Sequence, residues 1–354
     1  MTTSLANHWV EKGWDITIVT LASERLDVYP LHPKVKRISL NLAMDSANAF
    51  AALGNNLRRV FALNRAIRKC KPDVAVGMMS TSNVLLALAS WGLRNMKVVV
   101  SERTHPPSYP LGRVWEILRR VGYGSVAAVV AQTQKSASWL NDHTRARRVL
   151  VIPNAVTYPL PRHSPLVDPA IWCHAGRRIL LAVGRLVPEK GFDTLVDAFS
   201  LVSKDYPDWD LVIVGEGPGC RALQAQAASR QLGSRVIFAG RVGNVGDWYE
   251  RADIFVLSSR FEGFPNSLIE ALAYGVCAVS FDCDAGPADI IRHEVDGLLI
   301  APGDADQLSA AMARLMGDSI LRGQFSSRAI EVRERFALAQ VVEKWEMLFK
   351  ESVQ

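Results

Sequence analysis

The chain has 354 residues, more than a single hydrophobic core usually supports, so its length predicts two domains. Hydrophobic residues make up 49% and charged residues 21%, the composition of an ordinary globular protein. The net charge of +6 is unevenly spread, because residues 1–160 have a balance of +12 and the remainder a balance of −6. A basic half suits phosphate-bearing ligands or anionic lipid, and the lack of a Lys/Arg block or an aromatic ladder argues against nucleic acid as a partner.

The five cysteines are odd in number and include no C-x-x-C pair, which argues against a disulfide framework and a structural zinc site. A reducing cytosol fits this pattern. No run reaches ~18 uninterrupted apolar residues, and the first residues lack the apolar segment of a signal peptide. We therefore expect a soluble or peripheral protein in the cytoplasm.

Short apolar runs alternate with amphipathic segments along the whole chain. Runs of Val, Ile and Leu without polar alternation are typical of parallel strands buried on both faces. The predicted strands lie within 15–21, 73–79, 97–102, 126–133 and 149–156 in the first half, and within 177–185, 209–217, 235–241, 252–259 and 277–282 in the second. This alternation predicts an α/β protein of two doubly wound domains that face a ligand-binding cleft, since ligands bind beyond the carboxyl ends of parallel strands.

Two basic amphipathic stretches lie in the first half of the chain. Leu57, Val60, Phe61, Leu63, Ala66 and Ile67 can share one helix face in 55–70, with Arg58, Arg65, Arg68 and Lys69 near its rim. Trp115, Leu118 and Tyr123 accompany Arg113, Arg119 and Arg120 in 112–124. Each stretch fits two interpretations: a helix that packs on the core with a solvated basic edge, or a helix that lies at a membrane interface. The positive charge of this half favours the second, on an anionic membrane surface.

The segment SERTHPP, residues 101–107, places His105 directly after a predicted strand, where it faces the predicted cleft. A lone loop histidine is usually exposed, so a ligand contact and a solvated side chain are both open here.

Proline content marks the division between the two halves. Residues 157–169 contain four prolines and have the composition of a linker. We predict an N-terminal domain at 1–156, a linker at 157–175, a C-terminal domain at 176–336 and a final amphipathic helix within 337–354.

Two cations follow the first strand of the second half. Arg185 comes directly after the strand, and Lys190 precedes Gly191, which opens a helix. Alone, either cation is most often a solvated surface charge. Together at one sheet edge with a helix N-terminus, they have the composition of a diphosphate site.

The stretch SSRFEGFPNSLIEALAYG, residues 258–275, holds two glutamates eight positions apart. Asn266 or Ser267 is a natural N-cap, so Glu262 lies in a Gly/Pro loop and Glu270 about one turn into the helix. The first-turn amides of such a helix bind anions, and carboxylates accept hydrogen bonds from hydroxyls. A capped surface helix is the alternative, but the neighbouring cations favour a ligand that has a diphosphate between a ribose and a second sugar.

The motifs VGRLVPEKG, the E-x7-E pair and GPADIIRHEVDGLLI, in this order, resemble the donor-binding half of GT-B glycosyltransferases of family 4. The resemblance covers nearly the whole chain. It implies the GT-B fold of two Rossmann-like domains, a last helix that crosses back to the first domain, and retaining transfer from a sugar nucleotide without a metal or other cofactor. Within the family, the chain is most similar to bacterial N-acetylgalactosaminyl- and galactosyltransferases that act on polyprenyl-diphosphate sugars.

The resemblance also implies a role for each candidate residue. Arg185 and Lys190 would hold the donor diphosphate as it leaves, Glu270 would accept the ribose hydroxyls, and Glu262 would meet the transferred sugar. His105 would contact the donor sugar or the acceptor. The predicted catalytic set is Glu262, Lys190, Arg185 and His105, and the predicted donor-binding set is Arg185, Lys190, Gly263, Phe264, Pro265, Asn266, Ser267, Leu268 and Glu270.

One part of the family pattern is absent. The chain opens with MTTSLANHWVEKGWDITIVT, which looks like the family's first helix and second strand, without its first strand and Gly-rich loop. Loss of a central strand would leave backbone edges unpaired. Met1 is then either an internal methionine of a longer product, which we favour because no later motif is degraded, or the start of a shortened, inactive copy.

The sequence thus predicts transfer of a hexose or N-acetylhexosamine from a nucleotide sugar, with UDP expected, to a glycan acceptor. We expect the acceptor to be polyprenyl-diphosphate-linked and the enzyme to sit on the inner face of the cytoplasmic membrane, in polysaccharide or cell-surface glycan biosynthesis. Two alternatives stay open: a non-catalytic nucleotide-sugar-binding protein, and a GT-B synthase or phosphorylase that acts on soluble glucan. The sequence does not determine the sugar, the base or the linkage.

Overall fold

The structure is a computed structural model that describes residues 1–26, 30–43, 48–93, 95–174 and 176–353. Two compact units divide the chain: unit 1 comprises Met1–Pro153 and Ala339–Gln354, and unit 2 comprises Asn154–Leu338. The sequence predicts that the N-terminal domain ends at 156 and that the final helix begins at 337. Ala175 of the predicted linker and Gln354 of the predicted final helix lie outside the described residues.

All the ladders between the described strands are parallel. The strands are β1 (Thr17–Thr20), β2 (Lys36–Ser39), β3 (Val74–Met78), β4 (Lys97–Ser101), β5 (Ala128–Ala131), β6 (Val149–Val151), β7 (Arg178–Val183), β8 (Trp209–Val214), β9 (Val236–Gly240), β10 (Ile254–Leu257), β11 (Cys277–Phe281) and β12 (Gly297–Ile300). All ten strands predicted from apolar runs are present. The sequence prediction missed β2, whose four residues include one apolar side chain, Ile38, and β12, a run of three apolar residues after Gly297.

Helices connect these strands. They are α1 (Thr2–Glu11), α2 (Ala49–Cys70), α3 (Ser80–Ala89), α4 (Arg113–Gly122), α5 (Gln134–His143), α6 (Pro169–Trp172), α7 (Phe192–Val202), α8 (Cys220–Ser229), α9 (Val245–Arg251), α10 (Asn266–Ala273), α11 (Pro287–Ile290), α12 (Ala305–Gly317), α13 (Ser319–Ala329), α14 (Val332–Arg335) and α15 (Leu338–Val353).

Unit 2 has one six-stranded sheet in the order β12-β11-β10-β7-β8-β9. Every residue of β8 and β10 is buried. The sequence of β10 is entirely apolar, as expected for a strand buried on both faces, whereas β8 includes Asp210, which pairs with Arg177 and Arg235. Two hydrophobic clusters pack on the faces of the sheet, one around Leu195, Phe199 and Met312, the other around Trp248, Leu268 and Phe336. Since β7 and β10 are neighbours, the loops that follow them emerge at one sheet edge.

Unit 1 has two sheets, a pair β1-β2 and a four-stranded sheet β3-β4-β5-β6. Within the described residues, β1 and β3 each have one strand neighbour, and the residues of β1 are only partly buried. The strands β4 and β5 are buried along most of their length and form the centre of the unit 1 core with Val84 and Leu140.

Helix α15 completes unit 1 from the far end of the chain. Its apolar side contains Val341, Val342, Trp345 and Leu348, all buried. The Phe349 ring lies 5.4 Å from that of Trp9 in α1, and Lys12 Nζ lies 2.8 Å from Glu346 Oε1. Unit 1 is therefore assembled from both ends of the sequence.

The segment predicted as a linker is packed onto unit 2. The Leu160 amide donates to the Tyr274 hydroxyl at 2.9 Å, and the Val167 amide donates to Asn244 Oδ1 at 2.9 Å. The segment also contains α6. Its prolines remove backbone donors, and the amides of Leu160, His163 and Val167 find acceptors on Tyr274, Gly243 and Asn244.

Candidate functional site

Two loops of unit 2 carry the predicted donor-binding residues. One follows β7 and contains Arg185 and the 3₁₀ turn Pro188–Lys190; the other follows β10 and contains 258–265. Gly191 has φ +61° and leads into α7. The two loops are adjacent because their strands are paired in the sheet.

Lys190 and Glu262 form an ion pair between these loops. Lys190 Nζ lies 2.6 Å from Glu262 Oε1, and their side chains are 21% and 11% exposed. Ser259 Oγ donates to the same carboxylate oxygen at 2.6 Å. The sequence predicts that Lys190 binds a diphosphate and Glu262 a sugar. In the structure, which contains no ligand, the ammonium and the carboxylate bind each other.

Glycines allow the backbone of the site to approach closely. A Cβ at Gly191 would lie 2.1 Å from the Ser258 carbonyl oxygen, and a Cβ at Gly215 would lie 1.9 Å from that of Gly184. The Leu186 amide donates to the Glu216 carbonyl at 2.9 Å. The turn after β8, residues 216–219, therefore supports the segment that holds Arg185.

Arg185 is exposed, and within the described parts of the chain its guanidinium forms no ion pair and no hydrogen bond. A cation without an internal partner at the end of β7 is available to an anionic ligand.

The start of α10 differs from the prediction. Pro265 occupies the N-cap position, and Asn266, expected to cap the helix, is its first residue. Asn266 Oδ1 instead accepts from Asn154 Nδ2 at 2.7 Å. Because Pro has no side-chain acceptor, no side chain at the N-cap position binds the first amides of this helix.

The backbone amides before and at the start of α10 are predicted from the sequence to donate to the ligand. The Leu268 amide already donates to the Pro265 carbonyl at 3.2 Å. The amides of Gly263, Phe264, Asn266 and Ser267 have no acceptor among the residues that the structure describes. These four amides form the unpaired donor set of the loop and first turn.

Glu270 lies in α10 and accepts a hydrogen bond from the Tyr249 hydroxyl at 3.1 Å. Burial raises the pKa of the Glu270 carboxyl from 4.5 to about 7, against the opposing effect of the Tyr249 bond. Near neutral pH this carboxylate is therefore poised between its charged and neutral forms. Tyr249 was not identified from sequence, because it lies in a different helix, α9.

His105 belongs to unit 1, after β4, and is buried at 4% exposure. Its Nδ1 lies 2.9 Å from Ser136 Oγ, and Ser136 Oγ accepts from Thr133 Oγ1 at 2.9 Å. Of the two alternatives that the sequence left open, the burial of His105 excludes a solvated side chain, and contact with a ligand stays a prediction.

The outward faces of the two basic helices differ from the prediction. In α4, Tyr123, just past its end, and Arg119 are buried rather than interfacial, and Arg119 lies beside the buried Glu102 carboxylate. The apolar residues that α4 exposes are Val114, Ile117 and Val121, and those that α2 exposes are Leu53, Leu57 and Phe61. Each helix therefore packs one face against the core of unit 1 and exposes these apolar residues on another face.

No group of three His, Cys, Asp or Glu in the described ranges could hold a metal ion. All five cysteines are free. None of the described helices has both the length and the apolar character of a segment that crosses a bilayer.

Two families match the sequence. Residues 173–332 match the Glycosyl transferases group 1 family, and residues 1–155 match the Glycosyl transferase 4-like domain. Together the two matches cover most of both units.

Two curated relatives are bacterial proteins named for polysaccharide or glycan chemistry. An exopolysaccharide phosphotransferase of Streptomyces coelicolor is 34% identical over 295 residues, which are 82% of this chain and 30% of that protein. The chain thus spans under a third of that relative. A Campylobacter jejuni α-1,4-N-acetyl-D-galactosaminyltransferase named for a GalNAc-GalNAc-diNAcBac-PP-undecaprenol substrate is 26% identical, over 91% of this chain and 87% of its own.

Solved structures share the fold at low sequence identity. Sucrose-phosphate synthase from Thermosynechococcus elongatus has a TM-score of 0.82 at 20% identity and covers 98% of this chain and 91% of its own. Anabaena HepE, solved in complex with UDP and glucose, has a TM-score of 0.79 at 18% identity, with coverages of 99% and 94%.

Proposed function

The chain belongs to the glycosyltransferase 4-like family of GT-B glycosyltransferases, and from this premise we propose that it is a retaining UDP-sugar transferase with a polyprenyl-diphosphate-linked glycan as its acceptor. The transferred group is a hexose or an N-acetylhexosamine. The Campylobacter relative, named for an undecaprenyl-diphosphate substrate, and the UDP complex of HepE support these choices of acceptor and donor.

One observation carries the donor assignment: the Lys190 ammonium and the Glu262 carboxylate lie 2.6 Å apart, and the exposed Arg185 belongs to the same loop as Lys190. A sugar diphosphate presents phosphate oxygens and sugar hydroxyls on either side of the bond that breaks. The cations suit the phosphates and the carboxylate suits the hydroxyls. The unpaired amides of Asn266 and Ser267 add donors for the phosphates.

These groups define the proposed chemistry. As the diphosphate leaves, negative charge develops on its oxygens, and Arg185 and Lys190 stabilise that charge. The anomeric carbon becomes oxocarbenium-like, and the acceptor hydroxyl attacks from the face that the diphosphate vacates, passing its proton to a leaving phosphate oxygen. The protein contributes position and electrostatic stabilisation, and no protein nucleophile is required.

The acceptor assignment is supported by unit 1. Its exposed apolar residues on α2 and α4 lie among Arg58, Arg65, Arg113 and Arg120, all exposed. A surface of this kind fits anionic headgroups and the diphosphate of a polyprenyl carrier. We therefore propose a peripheral position on the inner face of the cytoplasmic membrane.

Calorimetric titration with UDP tests the donor site. We expect micromolar binding by the full chain and a loss of ~100-fold or more in Lys190→Ala, because one preorganised charged donor contributes about 3 kcal/mol. Arg230→Ala is the matched control, since Arg230 pairs with Asp197 elsewhere in unit 2, at 2.9 Å. A cooperatively folded protein that does not bind UDP would contradict the proposal.

Transfer assays test the reaction. We expect sugar to move from UDP-sugar to a polyprenyl-diphosphate glycan, with the anomeric configuration retained by NMR. Extension of maltooligosaccharide but not of the lipid-linked acceptor would instead indicate a soluble-glucan synthase.

A further inference from the structure

Arg260 connects the two loops of the candidate site. It follows Ser259 in the loop after β10, and its guanidinium forms a forked ion pair with Asp193 of α7. Arg260 Nη2 lies 2.6 Å from Asp193 Oδ2, and Nη1 lies 3.0 Å from Oδ1. Nη1 also donates to the Pro188 carbonyl, and the Arg260 amide donates to the Glu189 carbonyl at 2.8 Å. All of these bonds end on residues 188–193, the segment that contains Lys190.

This segment has few bonds of its own. The 3₁₀ turn is closed by the Lys190 amide to the Val187 carbonyl and by the Gly191 amide to the Pro188 carbonyl, both at 3.1 Å. Such short turns have poor hydrogen-bond geometry. Ser258 Oγ adds one external bond to the Lys190 carbonyl, at 2.9 Å. The conformation of the turn is therefore set largely from the loop after β10.

Packing places the guanidinium directly over the turn. A Cβ on Gly191 would meet the Ser258 carbonyl oxygen and would lie 3.7 Å from Arg260 Nη1. The Arg260 and Asp193 side chains are 43% and 50% exposed. Ion pairs at that exposure contribute little to overall stability, so this one is better explained by the local geometry that it imposes.

We propose that Arg260 is a positioning residue, which through Asp193 and the Pro188 carbonyl fixes the turn that aims Lys190 at the donor diphosphate. The consequence for the diphosphate rests on the proposed function, whereas the effect on the turn does not. Small displacements of a positioned group have large effects on binding and rate. Direct contact of Arg260 with the diphosphate is the competing interpretation.

Two substitutions distinguish these interpretations. Arg260→Lys keeps the positive charge but cannot form the forked bond, so positioning predicts UDP binding about tenfold weaker. Asp193→Asn removes the charge that holds the guanidinium. Positioning predicts weaker UDP binding in this variant as well, whereas direct contact predicts tighter binding, because Arg260 would be released to the phosphates.

Hydrogen exchange of the ligand-free proteins gives a readout that requires no UDP. We expect the amides of 187–191 to exchange several-fold faster in Arg260→Lys and Asp193→Asn than in the unsubstituted chain. Arg230→Lys is the control, since Arg230 forms an ion pair of similar exposure with Asp197, one turn further along α7.

Wild-type UDP affinity in Arg260→Lys, tighter binding in Asp193→Asn, or unchanged exchange at 187–191 in both variants would overturn the inference. If the unsubstituted chain does not bind UDP but the two variants loosen the turn, the proposed function fails while the role of Arg260 in holding the turn stands.

Discussion

At the residue scale, the ion pair between Lys190 and Glu262 is the central feature of the candidate site. Its Nζ–Oε1 distance of 2.6 Å means that the ammonium is occupied before any ligand arrives. Under the proposed function, the diphosphate and the Glu262 carboxylate would compete for the three donors of this ammonium, and a carboxylate drawn away from Lys190 would become available to hydroxyls of the sugar.

This competition predicts opposite effects of one substitution on binding and on transfer. In Glu262→Gln, the charge that competes for Lys190 is gone, so we expect UDP to bind several-fold more tightly by calorimetry. Sugar transfer should fall ~100-fold, because the hydroxyl contact is weakened. Ser259→Ala, which removes a hydrogen bond to Glu262 but leaves the ion pair, is the control. Weaker UDP binding in Glu262→Gln would show that the carboxylate does not compete.

A second prediction concerns the pH dependence of UDP binding. The pKa of Glu270 is raised to about 7 by burial, and only the carboxylate form accepts strongly from ribose hydroxyls. UDP affinity should therefore fall as the pH drops below 7, approaching tenfold per pH unit, and Glu270→Gln should flatten this profile. Equal pH profiles for the two proteins would remove Glu270 from the ribose site.

The same shift has a consequence for stability, with a defined sign. The folded-state pKa lies above the ordinary value of 4.5, so folding favours the protonated form of Glu270. The stability that this provides is complete below pH 4.5 and is lost as the pH rises through about 7. Without ligand, Glu270→Gln should thus gain stability relative to the unsubstituted chain between pH 5 and 8, measured by urea denaturation.

At the element scale, the loops after β7, β8 and β10 contact one another closely because glycines let their backbones touch. Gly215 has φ +144°, and a Cβ there would lie 1.9 Å from the Gly184 carbonyl oxygen. Gly233 also has a positive φ, of +57°, but a Cβ there would meet nothing within 4 Å. The two positions therefore compare a glycine required by both backbone conformation and steric contact with one required by backbone conformation alone.

We expect Gly215→Ala to lower the free energy of unfolding by about 3 kcal/mol and to weaken UDP binding, because the clash moves the segment that holds Arg185. Gly233→Ala should cost only ~1 kcal/mol, the strain of a left-handed residue, and leave UDP binding unchanged. Urea denaturation and calorimetry measure the two effects. Equal losses in both variants would mean that the close contact at Gly215 has no energetic weight.

At the scale of the whole molecule, the uneven charge and the exposed apolar stripes occur in the same unit. Residues 1–160 have a balance of +12, and α2 and α4, which both pack against α3, expose Phe61 and Ile117 at 71% and 62%. Electrostatic attraction to anionic lipid with insertion of these side chains would hold unit 1 at a membrane surface.

Vesicle sedimentation tests this membrane surface. We expect binding to anionic vesicles that falls as salt increases, and clearly weaker binding after Phe61→Ser with Ile117→Ser. Ile320→Ser is the control, because Ile320 of unit 2 is 74% exposed but lies outside the basic half. Equal sedimentation with neutral and anionic vesicles would remove the membrane from the proposal.

The sequence by itself determined the strands and the loops of the candidate site. Apolar runs such as those of β4 and β8 identify buried parallel strands, and the rule that ligands bind beyond the carboxyl ends of strands locates Arg185, Lys190 and Glu262. These inferences need only neighbouring residues. They missed β2, whose four residues include one apolar side chain, and β12, a run of three apolar residues after a glycine.

Only the tertiary structure decided which side chains meet. Lys190 and Glu262 are 72 positions apart, Arg260 and Asp193 are 67 apart, and Tyr249 reaches Glu270 from another helix. It also decided which face of α4 packs inward, burying Arg119 and Tyr123 and exposing Ile117. Side-chain pairing and the choice between two apolar faces depend on packing against distant elements, and a pattern of neighbouring residues contains no record of those elements.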